Sequence, residues 1–64
     1  PCVLNAANEV AVAMHLEGKI FCGAIPNILA KVMEQHDPAP SPTLEELRHW
    51  DHWGRAKAGE AARG

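Results

Sequence analysis

The sequence predicts an all-α fold, and three observations carry that reading. Eleven alanines stand beside a single Phe and no Tyr in 64 residues, which favours close-packed helices over sheet. Ile25, Ile28, Leu29 and Val32 recur at the i, i+3, i+4, i+7 spacing of one helical face. Thr43-Leu44-Glu45-Glu46 has the form of a helix-starting capping box. Together they describe a small bundle of three helices plus a frayed C-terminal fourth, over about 6–17, 24–36, 44–50 and 52–62, joined by a Pro-rich spacer. A chain of this length makes one small domain with a marginal core, which a docking partner or further chain would help.

Asn5 is the expected start of the first helix, because its side-chain oxygen can take the unpaired N–H of Ala7 or Asn8. No breaker interrupts Ala6 to Glu17. Val10, Ala11, Val12, Ala13 and Met14 leave little polar circumference, so this helix is expected to be buried on most sides. Gly18 supplies a left-handed C-terminal cap, and Lys19 complements the helix dipole.

After a loop through Ile20, Phe21, Cys22 and Gly23, the second helix carries the Ile25, Ile28, Leu29, Val32 stripe. Pro26 belongs in its first turn, where a missing N–H breaks no helical bond. His36 and Asp37 end it. Asp37-Pro38-Ala39-Pro40-Ser41-Pro42 holds three prolines in six residues, too donor-poor for helix or sheet, and reads as a fixed spacer. Beyond the capping box, Leu44, Leu47 and Trp50 are expected to line one face of a third helix. Asp51 is expected to cap a fourth, which Gly54 and Gly59 should fray.

Charge and composition exclude several functions. Net charge is −2, with six Lys plus Arg against eight Asp plus Glu, and the basic residues are scattered, so no stripe tracks nucleic-acid phosphates. The longest apolar run, Val10 to Met14, is far short of the ~20 residues that span a bilayer. Cys2 and Cys22 have neither metal-site nor disulfide-framework spacing and are expected to be reduced thiols. Pro1 in place of Met suggests an excised piece.

Candidate chemistry is sparse. His49 and His52 lie at i, i+3 with Asp51 nearby, but two imidazoles fall short of the three or four ligands a zinc site uses. His15 and His36 add no ligand-like spacing. Ser41 and Thr43 are explained as turn and cap residues, and Glu45 and Glu46 are adjacent, so they do not face each other on a helix. No catalytic, cofactor-binding or metal-binding residue is therefore assigned. The remaining feature is Asn5, Asn8 and Glu9, three polar groups on the first turns of an otherwise apolar helix. Either they lock onto another part of a larger protein, or they form a local cap and one solvated turn.

The run Val3-Leu4-Asn5-Ala6-Ala7-Asn8-Glu9-Val10-Ala11-Val12-Ala13 resembles a segment of the C-terminal helical domain of 1-deoxy-D-xylulose 5-phosphate reductoisomerases. Leu16-x-Gly18-Lys19-Ile20, Ile25-Pro26, Thr43-Leu44-Glu45-Glu46 and Asp51-x-Trp53-x-Arg55 follow in the family's order. Ala24 replaces an acidic residue that usually starts the second helix, and Gly54 replaces a helix former. The resemblance implies that residues 1–64 are a partial C-terminal helical domain without catalytic residues of its own. The implied parent is a bacterial cytoplasmic enzyme of non-mevalonate isoprenoid biosynthesis, a homodimer that uses NADPH and a divalent cation (Mg or Mn). It isomerises and reduces 1-deoxy-D-xylulose 5-phosphate to 2-C-methyl-D-erythritol 4-phosphate. The implied partner of this segment is the catalytic domain of the same polypeptide, contacted through Asn5, Asn8 and Glu9. The alternative is a stand-alone helical interaction module whose Ile25, Ile28, Leu29, Val32 stripe binds a partner helix.

Overall fold

The computed structural model describes residues 2–37 and 42–64, and every described element is a helix: α1 (Cys2–Leu16), α2 (Ala24–Gln35) and α3 (Leu44–Arg63). α1 and α3 run in the same direction, since Cys2 Sγ lies 3.3 Å from the Leu47 carbonyl and Glu9 meets Arg55. α2 runs opposite to both, ending where His36 lies against Trp50 and Trp53. The core is made of Val3, Ala7, Ala11, Ile28, Val32 and Ala58. Its largest fully buried side chains are two valines, so the helices meet across small residues.

α1 begins earlier than its expected cap. Asn5 is an exposed residue inside the helix, not its N-cap, because Cys2, Val3 and Leu4 are already helical. Val3 is buried against α3, and that contact draws the first turn into the helix in preference to a local side-chain cap. Nor is α1 buried on most sides. Val3, Ala6, Ala7 and Ala11 face inward, whereas Val12 is 37% and Leu16 is 79% exposed. Gly18 ends the helix as expected, at φ +78°. Its N–H donates to the His15 carbonyl at 3.0 Å and that of Lys19 to Met14 at 2.9 Å, the paired bonds of a Schellman cap.

α2 follows its sequence pattern closely. Ile28 and Val32 are buried, and Ile25, Leu29 and Met33 pack half-buried against them. Pro26 lies in the first turn. At the other end His36 turns into extended backbone and caps the helix through its N–H to the Met33 carbonyl. The proposed rigid spacer falls mainly on residues 38–41, which lie outside the described residues.

The expected third and fourth helices are one helix. Thr43 starts it with both capping-box bonds, its Oγ1 accepting from the Glu46 N–H at 3.1 Å and its own N–H donating to Glu46 Oε1 at 3.0 Å. Helix continues through Asp51, whose carboxylate accepts from Arg55 one turn on at 3.0 Å instead of capping a new segment. Gly54 and Gly59 do not fray it; both are buried. At Gly54 a Cβ would sit 3.0 Å from the Val3 carbonyl oxygen, so the missing side chain is what lets the α1 backbone come close. Leu44, Leu47 and Trp50 share one face of this helix, and only its Trp50 end packs on the core. Leu44 is 63% and Leu47 is 37% exposed, since α1 begins beside Leu47 and leaves the first turn of α3 projecting.

Candidate docking surface

Two faces of α1 have opposite fates. Val3, Ala7 and Ala11, at i, i+4, i+8, are spent on the core. On the far side Asn5, Asn8, Val12 and Leu16 follow at steps of three, four and four, all exposed, and so form one continuous stripe. The stripe is amide at its N-terminal end and aliphatic at its C-terminal end; in the loop that follows, Phe21 is also 75% exposed. It bears no charge. The helix has a single carboxylate, Glu9, and it is already engaged.

Glu9 Oε2 accepts from Arg55 Nη2 at 2.8 Å. Arg55 also donates from Nε to Asp51 Oδ2 at 3.0 Å and from Nη2 to Asp51 Oδ1 at 3.4 Å. The hydrogen bond to Asp51, followed by that to Glu9, raises the guanidinium pKa further above its ordinary value. Of the three polar residues singled out in the sequence, Glu9 therefore finds its partner inside this chain. Asn5 and Asn8 make no side-chain hydrogen bond among the described residues, and both point outward, so neither is the buried amide that an all-round apolar helix would have held.

The Ile25, Ile28, Leu29, Val32 stripe packs within the chain's own core. That occupation leaves it unable to receive a partner helix, which removes the binding face of the interaction-module alternative. His49 and His52 are exposed, and the His49 ring rests on Trp50 with centroids 5.0 Å apart. Among the described residues no three His, Cys, Asp or Glu side chains gather closely enough to hold a metal ion. Cys2 and Cys22 are free thiols.

Two arrangements were missed in the sequence. The first is the Arg55 bridge, for which the Asp51/Arg55 i, i+4 spacing was the available sign of helix continuity. The second is the aromatic cluster of His36, Trp50 and Trp53. His36 meets Trp50 edge-on at 4.6 Å and Trp53 at 5.8 Å, and the two indoles are 5.2 Å apart at 82°. This cluster fixes the end of α2 against α3.

A family model described as the DXP reductoisomerase C-terminal domain matches residues 1–57. Curated 1-deoxy-D-xylulose 5-phosphate reductoisomerases align along the same stretch. That of Moorella thermoacetica is 45% identical over 64 residues, covering 100% of this chain and 17% of the relative. That of Halothermothrix orenii is 47% identical over 60 residues, 94% of this chain and 16% of the relative. That of Pelotomaculum thermopropionicum is 49% identical over 55 residues, 86% of this chain and 14% of the relative. The chain thus spans about a sixth of the length of these relatives. No solved structure matches it. With the domain model running from Pro1 through the Arg55 bridge, and relatives aligned along nearly all of a chain whose described elements are helices, these 64 residues belong to the DXP reductoisomerase C-terminal domain family.

Proposed function

We propose that this segment is the structural helical part of an NADPH-dependent reductoisomerase, and that it supports the catalytic domain of the same polypeptide without contributing to the chemistry. The parent reaction is the isomerisation and reduction of 1-deoxy-D-xylulose 5-phosphate to 2-C-methyl-D-erythritol 4-phosphate, run by a cytoplasmic bacterial homodimer in isoprenoid biosynthesis. By family, the parent would take NADPH as its hydride donor and a divalent cation, Mg or Mn, as its Lewis acid. The side chains described here do not fit that metal, since no group of three ligands gathers among them. The cation and the nicotinamide belong to other parts of the parent, and no catalytic step is assigned to this chain.

The observation that carries this reading is the exposed outer stripe of α1, Asn5, Asn8, Val12 and Leu16, whose one neighbouring carboxylate, Glu9, is already paired with Arg55. Exposed apolar area of this kind is what a docking face presents before it is covered. Its occupant is taken to be the remainder of the polypeptide, because relatives extend over roughly six times the aligned length. Asn5 and Asn8 would then satisfy polar groups on the opposing surface, and Val12 and Leu16 would bury against its apolar part.

A segment exchange tests this. The matching 64 residues of the Moorella thermoacetica relative are replaced with this chain, and NADPH oxidation is followed with 1-deoxy-D-xylulose 5-phosphate and manganese. Retained turnover is expected. A soluble, folded exchange protein that has lost turnover would overturn the assignment of a purely supporting role.

A further inference from the structure

We draw no further inference here: the strongest candidate, the exposed apolar end of α1 formed by Val12 and Leu16, belongs to the docking surface already proposed, and nothing in the structure shows what else covers it.

Discussion

Arg55 on α3 holds Glu9 on α1 at 2.8 Å and Asp51 in its own helix at 3.0 Å. The bridge joins two stretches far apart in sequence, Asn5-Ala6-Ala7-Asn8-Glu9 and Asp51-x-Trp53-x-Arg55, both among the motifs behind the family resemblance. Both ion pairs are solvent-exposed, so the bridge sets alignment of α1 on α3 more than it adds stability. Arg55→Ala is expected to lower the urea midpoint more than Glu9→Gln, because Arg55 keeps Asp51 when Glu9 is neutralised. The Glu9→Gln, Arg55→Ala double variant should match Arg55→Ala alone. Strict additivity of the two effects would show that the residues act independently.

The two glycines inside α3 should respond in opposite directions to alanine. Gly59→Ala gains about 1 kcal/mol of helix propensity, since the methyl meets only the movable tip of Arg63, 3.2 Å away. Gly54→Ala meets the Val3 carbonyl oxygen at 3.0 Å and Val3 Cγ1 at 3.3 Å. Overpacking of that kind costs roughly 1–3 kcal/mol and outweighs the propensity gain. Thermal unfolding followed by circular dichroism gives both signs, and a higher midpoint for Gly54→Ala would contradict the close approach of α1.

The capping box makes the start of α3 sensitive to acid. The Thr43 backbone N–H, with a smaller contribution from the Thr43 side chain, holds the Glu46 carboxyl below its usual value of 4.5. A carboxylate with a depressed pKa stabilises the fold above its unfolded value, and that contribution is lost as pH falls through the lower folded value. Helicity is thus expected to decline below about pH 4.5. Glu46→Gln should flatten that part of the decline. Thr43→Ala should instead cost about 1 kcal/mol at neutral pH and leave an acid-dependent component, because the backbone donor remains.

Core and outer stripe should separate by context. Ile28→Ala, in the buried cluster, is expected to cost about 2–5 kcal/mol in the 64-residue chain. Leu16→Ser should be nearly neutral there, its side chain being 79% exposed. In the exchange protein Leu16→Ser should lower the unfolding midpoint, measured by differential scanning calorimetry. Equal, negligible effects in both settings would mean that the stripe stays uncovered.

The 64-residue chain alone is expected to consume no NADPH with 1-deoxy-D-xylulose 5-phosphate, with or without manganese or magnesium. Absorbance at the nicotinamide band reads this directly. Turnover by pure chain would place catalytic groups within it.

Features with local causes were readable in the sequence. The Ile28 and Val32 spacing, the Thr43 to Glu46 box and the glycine at 18 each act within one or two turns, and each stands where its pattern put it. Reading failed where one helix answers to another. Asp51 has the chemistry of a cap, but Arg55 one turn on makes it a helical ion pair. Gly54 has the propensity of a breaker, but the backbone at Val3 occupies the space a side chain would need. Of the candidate surface, the unusual polar positions on α1 were visible, whereas their outward aim depended on which face Val3, Ala7 and Ala11 committed to the core.

The placement of the indoles has a practical consequence for measurement. Trp50 and Trp53 are the two tryptophans of the chain, and both lie at the junction of α2 with α3. Intrinsic fluorescence therefore reports first on that junction, and only through the shared core on the alanine-lined seam between α1 and α3. If α1 peels away first, as a helix docked on small side chains can, ellipticity will fall before the emission spectrum shifts. The gap between those two curves would measure how independently the N-terminal helix opens.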